Sequence, residues 1–288
     1  MQTKVKLHEA IHTNNIALVT QLVAACHDTN ETDQSGYTPL HWASQEGLVS
    51  IATLLIEAHA DVTILTQQGL SALELAVRYG HVEVAKLLVH AGSDIHRSHE
   101  GFSLLHAAAA NGHRNVIAFL CDIGLAINAT DAIGRTPLHW ACQEGHLDAV
   151  QELIARGATL DDKDASGCTA MHVAVGEGHF HIVEVLLSRN VNSNTVNNEP
   201  STPLHTACAW GRADIVGLLL EHGANIEASD GFGRTPIFYG VMYRYNEIVR
   251  ILINKGAQVA ISDSHGKPLL QYARSKKMHA LLTHATNK

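Results

Sequence analysis

The sequence has few cysteines, no excess of positive charge and no long apolar run, and each absence excludes a class of protein. The five cysteines form no CxxC pair and are odd in number, which argues against a disulfide scaffold and favours a reducing compartment. The chain carries 20 Lys and Arg against 28 Asp and Glu. It therefore lacks the positive field that supplies most non-specific affinity for nucleic acid. No stretch approaches the roughly 18 unbroken apolar residues that a membrane helix needs.

These absences set the expectations for location and partners. The N-terminal segment contains no apolar core of the kind that a secretory signal requires. We therefore expect a cytoplasmic protein, with the nucleus or the cytosol of a host cell left open. We expect no nucleic-acid partner, no insertion into a membrane and a monomeric state. Apolar residues make up 46% of the chain, which is ample material for a folded core.

What the sequence does contain is a four-residue motif at a nearly constant spacing. The stretch Thr136-Pro137-Leu138-His139 has complete copies beginning at Thr38 and Thr202, and four degraded copies stand in the same phase. The fourth position of the motif falls at residues 41, 74, 106, 139, 172, 205 and 238, so every step is 33 residues except one of 32. The same phase reaches residues 7–10 at one end and 270–273 at the other. The period predicts seven full repeats between two degenerate ones.

Each repeat carries the signals of two short helices. A Thr such as Thr136 can cap a helix with its hydroxyl, and Pro137 beside it loses no helical hydrogen bond. Gly145 marks a turn six residues after His139. Apolar pairs such as those at 215/216 and 219/220 then form one face of a second helix. The sequence of each repeat therefore predicts helix, turn, helix and loop.

The second helix of each repeat ends near a residue that favours a left-handed backbone. Glycine occupies this position in five repeats, at Gly92, Gly124, Gly157, Gly223 and Gly256, where positive φ costs least. His59 and Asn190 stand there in two others. Because both residue types enter the left-handed region more readily than most, we expect them to adopt it here.

The motif resembles the signature of the ankyrin repeat family, and the resemblance covers essentially the whole chain. It implies an all-α repeat solenoid with β-hairpin loops, an array of about nine ankyrin repeats. We expect one domain over residues 1–288, with an N-terminal capping repeat at 1–33, seven internal repeats at 34–262 and a C-terminal capping repeat at 263–288. The family also implies that the motif histidines make hydrogen bonds between neighbouring repeats. The loops at His96 and Asn128 are similar to sites of ankyrin hydroxylation, which requires an animal cell that contains the hydroxylase.

The 21 histidines raise the question of a metal or acid-base site, but about half of them fall on the repeat phase. Pairs outside it, such as His96 with His99, lack the further ligands that a metal site requires. Cys142 near His139 lies where other repeats have a small packing residue, and no oxyanion-hole element accompanies it. No glycine-rich phosphate loop is present in the sequence. We therefore expect no enzyme activity, no cofactor and no metal.

The resemblance implies that the chain binds a protein or peptide partner on a concave face, built from loop tips and the exposed positions of the first helices. Against an aromatic content of 5%, two groups stand out on this face as binding residues. The C-terminal group consists of Trp210, Phe232, Arg234, Met242, Tyr243 and Tyr245. The N-terminal group consists of Tyr37, Arg78, Tyr79 and Phe102. Between them lie Arg135 and an acidic waist of Glu144 and Glu177, and the waist suits a basic segment.

Two alternatives stay open from the sequence. Tyr239, Tyr243 and Tyr245 belong to the most degenerate internal repeat, so a second reading is that they repack a locally altered helix. The main functional expectation is a non-enzymatic scaffold or adaptor. The alternative is a bacterial ankyrin effector that binds and redirects a protein inside a host cell, because arrays without an attached domain occur in both settings.

Overall fold

The computed structural model describes residues 7–286, and all regular structure within that range is helical. Sixteen helices come in consecutive pairs, each with a short first helix and a second helix of nine residues. The pairs are α1 (Leu7–His12) with α2 (Ile16–Ala24), α3 (Pro39–Gln45) with α4 (Val49–Glu57), α5 (Ala72–Arg78) with α6 (Val82–His90), α7 (Leu104–Ala110) with α8 (Arg114–Asp122), α9 (Pro137–Glu144) with α10 (Leu147–Ala155), α11 (Ala170–Glu177) with α12 (Phe180–Ser188), α13 (Pro203–Ala209) with α14 (Ala213–Glu221), and α15 (Pro236–Met242) with α16 (Asn246–Asn254). A 3₁₀ helix at Leu269–Tyr272 and helix α17 (Lys276–Thr286) follow. The expectation of a helical repeat architecture is confirmed.

The first helices begin where the sequence predicts, at the Thr of the repeated motif. Thr38, Thr136, Thr169 and Thr202 have an extended backbone and form the N-caps. At α3, the N–H of Thr38 donates to Nδ1 of His41 at 3.1 Å, and the N–H of His41 donates to the Thr38 hydroxyl at 3.3 Å. This reciprocal pair satisfies amide groups that the start of a helix leaves without partners.

The left-handed positions also agree with the sequence. His59 has φ of 61° and Asn190 has φ of 58°, so both adopt the conformation expected at the end of the second helix. Arg244 has φ of 65° at the turn position that Gly211 occupies one repeat earlier. The sequence did not predict this third residue, because Arg rarely enters the left-handed region.

The chain divides into two compact units, which are described separately. Among the described residues, unit 1 comprises 7–132 and 155–157. Within it the first helices α1, α3, α5 and α7 pack side by side, and the second helices α2, α4, α6 and α8 form a row behind them. Leu73, Leu88, Leu105 and Ile117 lie between the two rows and are fully buried. Since burial of one such side chain contributes roughly 1.5–3 kcal/mol, each pair of helices depends on its neighbours for stability.

Unit 2 comprises residues 133–154 and 158–286 of the part of the chain that the structure describes. Helices α9, α11, α13 and α15 pack side by side, and the 3₁₀ helix packs against α15. Behind them α12, α14, α16 and α17 form the second row. Met171, Leu204, Val216 and Leu252 are fully buried in this core. Cys142 is also buried, which agrees with the prediction that it occupies a small-residue packing position, and so is Cys208 one repeat pair further along.

A polar side chain closes the loop that precedes most of the first helices. In the loop before α15, Asp230 accepts hydrogen bonds on one carboxylate oxygen from the N–H groups of Phe232 and Arg234, at 2.7 and 2.9 Å. Asp33, Asp164 and Asp263 bind two loop amides in the same way. In residues 7–286 only isolated bridges, such as Leu65 with Ser71, join these loops as strand partners would. The β-hairpin form of the loops stays a prediction.

Candidate partner-binding surface

The motif histidines are buried and link consecutive repeats. In unit 2 the Nε2 atoms of His139, His172 and His205 lie 3.0–3.1 Å from backbone carbonyl oxygens 29 residues further along the chain. Because a carbonyl only accepts, Nε2 must carry the proton, and Nδ1 is left to accept from the N-cap amide. Burial lowers the pKa of all three imidazoles, so they are neutral at neutral pH. The expectation that these histidines tie repeats together is confirmed.

The turn histidines have a second structural role. Nε2 of His81 lies 2.8 Å from the carbonyl oxygen of Gln45, at the C-terminus of α3, and Nε2 of His179 lies 3.0 Å from that of Gln143 in α9. Arg212 stands at the same position one repeat after His179. Its guanidinium donates to the carbonyl oxygens of Gly176 and Glu177, the last two residues of α11. A cation at the C-terminus of a helix is favourable because the exposed carbonyls carry partial negative charge.

In unit 1 the predicted binding residues separate into exposed and packed side chains. Arg78 is exposed and Tyr79 is 52% exposed at the end of α5, where both line a shallow depression with Asn111 and His113. Tyr37 is half-buried. Its ring lies 4.9 Å from that of Trp42, and burial raises the pKa of its hydroxyl.

Phe102 is also half-buried, with its ring 5.4 Å from that of His106. Of the N-terminal group, only Arg78 and Tyr79 therefore present most of their side chains to solvent. Tyr37 and Phe102 contribute edges of rings that pack on the same unit.

In unit 2 three aromatic side chains of the C-terminal group are strongly exposed. Trp210 is 64% exposed at the end of α13, Phe232 is 51% exposed at the loop tip before α15, and Tyr243 is 52% exposed at the end of α15. Phe232 stacks on Arg234, whose guanidinium carbon lies 4.8 Å from the ring centre. Exposed aromatic side chains near a stacked arginine are typical of interface hot spots.

The other members of the C-terminal group are more constrained. Tyr245 lies at the turn position held by histidine in earlier repeats and packs flat against the backbone of Gly211. A methyl group added at Gly211 would lie 2.8 Å from the Tyr245 ring. Met242 is half-buried, and the ring of Tyr243 lies 6.4 Å from that of Tyr239. The packing alternative therefore applies in part to Tyr239 and Tyr245, whereas Tyr243 is exposed and its binding role stays a prediction.

A carboxylate nine residues before an aromatic ring recurs along the chain. The second oxygen of Asp33 accepts from the Trp42 indole N–H at 3.0 Å, and that of Asp230 accepts from the Tyr239 hydroxyl at 2.6 Å. Asp263 accepts from the Tyr272 hydroxyl in the same way. The ring lies beside the loop and satisfies the carboxylate. Sequence reasoning missed this pairing, although the constant nine-residue spacing could have revealed it.

Two successive repeats of unit 2 lack the ring. Val173 stands nine residues after Asp164, and Thr206 stands nine residues after Asn197. An open groove of about 450 Å³ lies there. We call it the ring-free groove, and its walls include Asp164, Val173, Glu177, Glu199, Thr206 and Trp210. The predicted residues Arg135, Glu177 and Trp210 come together around this groove. Tyr239, for which the sequence left a packing role open, also lines it, as does Arg212, which the sequence did not single out.

Arg135 and the acidic waist differ in their surroundings. Arg135 is half-buried, donates to Gln143 and lies 3.6 Å from the Asp164 carboxylate, with its guanidinium over the ring of Trp140. Glu144 is exposed and accepts from the Gln143 side chain at 2.9 Å. Glu177 is exposed at the end of α11. Arg135 is therefore held by its own unit, while Glu177 faces solvent at the groove.

The thiols and the remaining histidines form no reactive group in this region. Burial raises the pKa of Cys142 and Cys208 far above neutrality, so neither is a thiolate at neutral pH. Burial also raises the pKa of Cys168, which lies in the groove wall. Within residues 7–286 no three His, Cys, Asp or Glu side chains are placed to hold one metal ion. None of the helices in that range combines the length and apolar character needed to cross a bilayer.

Comparison with known families identifies the repeats. Residues 7–99, 92–164 and 149–230 match a family profile described as "Ankyrin repeats (3 copies)", and residues 232–264 match one described as "Ankyrin repeat". The matched segments together cover residues 7–264. A search of curated proteins found no match to this chain.

Proposed function

Because the chain belongs to the ankyrin repeat family, whose repeats are generally protein–protein interaction modules, we propose that it is a non-enzymatic adaptor. It binds a protein or peptide partner through the concave face formed by loop tips and the ends of the first helices. The adaptor consists of about nine repeats with a capping repeat at each end, with hairpin loops between them. It acts as a monomer in the cytoplasm.

The observation that carries this proposal is the exposure of three aromatic side chains in unit 2. Trp210, Phe232 and Tyr243 come from three consecutive segments of chain, the end of α13, the loop before α15 and the end of α15. A protein that only needed a stable core would bury such rings, since each contributes a large apolar area. Their exposure beside polar residues fits a surface that a partner covers.

A photo-crosslinking experiment tests where the partner binds. A benzophenone amino acid replaces Tyr243 in one variant and Phe180, at the start of the second helix α12, in a matched control. We expect crosslinked partner from the first variant and none from the control, after irradiation in native lysate. Equal crosslinking at both positions, or crosslinking at the control alone, would refute the assignment of the face.

The alternative of a bacterial effector uses the same face and differs in the location of the partner. A translocation assay with a reporter fused to the chain distinguishes the two. Delivery of the reporter into host cells supports the effector, whereas its retention in the producing cell supports an endogenous adaptor.

A further inference from the structure

The ring-free groove has its origin in two substitutions. In the 3₁₀ helix and in α15, a tyrosine ring lies beside the preceding loop and donates its hydroxyl to Asp263 and to Asp230, respectively. Val173 and Thr206 are too short to fill this space and supply no comparable ring. The space left open therefore has walls that accommodate a flat, hydrogen-bond-donating group in other repeats.

The charges around the groove favour a cationic occupant. Glu177 and Glu199 are exposed at its walls, and among residues 7–286 neither carboxylate has a hydrogen-bond or ion-pair partner. Asp164 contributes a third carboxylate. A cation from a partner could pair with Glu177 and Glu199, because the chain itself supplies no cation to either carboxylate. No existing ion pair of these two residues would have to break.

The arginine and histidine side chains that line the groove already have partners within the chain. Arg135 lies 3.6 Å from Asp164 and stacks on Trp140, and Arg212 is held by the two terminal carbonyls of α11. His172, also in the wall, stays neutral because burial lowers its pKa. These groups leave Glu177 and Glu199 as the accessible charges.

We propose that the ring-free groove binds an arginine side chain from an extended basic segment of a partner protein. The guanidinium is flat, as the missing ring is. It can stack on the exposed face of Trp210 and donate to the carboxylates of Glu177 and Glu199. Lysine has no planar group and fits these walls less well. This inference rests on the proposed function and specifies the partner's chemistry at one position.

The test uses a short peptide as the probe. Ac-Gly-Ala-Arg-Ala-Gly-NH₂ is titrated into the ¹⁵N-labelled full chain. The control is the same peptide with citrulline in place of arginine, since citrulline has a neutral group of nearly the same shape as the charged guanidinium. The three indole N–H signals, from Trp42, Trp140 and Trp210, give an internal comparison. We expect a saturable shift of the Trp210 signal with the arginine peptide and no shift of the Trp42 signal. The citrulline peptide should bind about fivefold or more weakly than the arginine peptide.

Two pairs of variants locate the site. Val173→Tyr restores the ring beside Asp164 and should abolish the response at an unchanged or higher melting temperature, while Val173→Thr copies Thr206 and should retain it. The double variant Glu177→Gln/Glu199→Gln should weaken binding by about fivefold or more. Its matched control, Glu184→Gln/Glu221→Gln, makes the same charge change on the second helices α12 and α14 and should leave the affinity unaltered.

These experiments distinguish failure of the proposed arginine site from failure of the proposed adaptor function. A Trp210 signal that does not move, equal binding of the citrulline peptide, or a response that persists in Val173→Tyr would overturn the arginine site. Shifts that depend on protein concentration without peptide would identify a second copy of the chain as the occupant instead, and would overturn it too. Partner binding that still requires Trp210 and Tyr243 would leave the adaptor function intact in all of these cases.

Discussion

His205 and Arg234 are joined across a repeat boundary by a hydrogen bond of 3.0 Å between the buried Nε2 atom and the backbone carbonyl oxygen. The same imidazole accepts the N–H of Thr202 at the start of α13. One side chain therefore caps its own helix and positions the loop that carries the exposed Phe232 and Arg234. The core and the proposed binding face are coupled through this residue.

Replacing His205 by Ala should lower the free energy of unfolding by about 2–4 kcal/mol, because the buried Thr202 amide loses its partner and the Arg234 carbonyl, which still accepts from the Asp230 N–H, loses one of its two donors. Urea denaturation followed by circular dichroism measures the change. His222→Ala is the control, since His222 is exposed and should cost less than about 0.5 kcal/mol. A similar loss in both variants would contradict the role assigned to His205.

The pH dependence of stability follows from the same residues. Burial lowers the pKa of His41, His139, His172 and His205 below 6.5. In mildly acidic solution the unfolded chain therefore binds protons that the folded chain does not, so stability is full above about pH 6.5 and falls as the pH decreases. Each histidine contributes at most about 1.4 kcal/mol per pH unit.

The check is the urea midpoint between pH 7.5 and 5.5. His205→Gln should flatten the slope by about one histidine's share, because the substituted side chain does not titrate. If the variant had the same slope as the wild-type chain, His205 would not be held neutral by the fold.

Tyr239→Phe removes the hydroxyl that donates to Asp230 at 2.6 Å. It should lower the free energy of unfolding by about 1–2 kcal/mol, because the carboxylate of the buried Asp230 loses a charge-assisted hydrogen bond. Tyr243→Phe serves as the matched control and should change stability by less than about 0.5 kcal/mol, since its ring is largely exposed. Thermal melts of the two variants should therefore differ, and equal melts would argue against the ring and carboxylate pairing.

Gly211→Ala tests whether Tyr245 is a packing residue. The new methyl would meet the Tyr245 ring at 2.8 Å at a position with φ of 75°, whereas Gly223, with φ of 80°, has open space around it. Gly223→Ala should cost about 1 kcal/mol for the backbone strain alone, and Gly211→Ala should cost more because the ring must also move. If both substitutions lowered stability equally, the Tyr245 ring could move away from residue 211 without loss, as expected for a binding residue and not for a packing residue.

The repeat period is enough to predict most of the fold, and particular residues show which features it does not predict. Thr136 and His139 indicate the start of a helix through local hydrogen bonding, so the helices could be predicted from the sequence. The left-handed backbone of His59 and Asn190 could be predicted from their position at the end of the second helix. The half-burial of Tyr37 depends on Trp42, and the position of Tyr245 depends on Gly211 in the preceding repeat. Such packing between side chains cannot be derived from a residue's place in its own repeat.

The groove was missed for a related reason. It exists because Val173 and Thr206 lack a ring that other repeats have, and that absence becomes visible only after Asp230 and Tyr239 are known to pair. Arg212 was not singled out from the sequence, although its guanidinium makes the contact with helix carbonyls that a turn histidine makes in other repeats. The exposed residues Trp210, Phe232 and Tyr243 were predicted correctly as surface positions, while their binding role stays a prediction.

The most direct measurement is the affinity of the crosslinked partner, once purified, for the wild-type chain and for the Trp210→Ala/Tyr243→Ala variant by isothermal titration calorimetry. Ile16→Ala/Val49→Ala, which removes exposed apolar groups at the starts of the second helices α2 and α4, is the control. We predict a loss of about 30-fold or more for the first variant, as expected for truncated hot spots, and an unchanged affinity for the control. Equal affinity of all three proteins would contradict the proposed binding face.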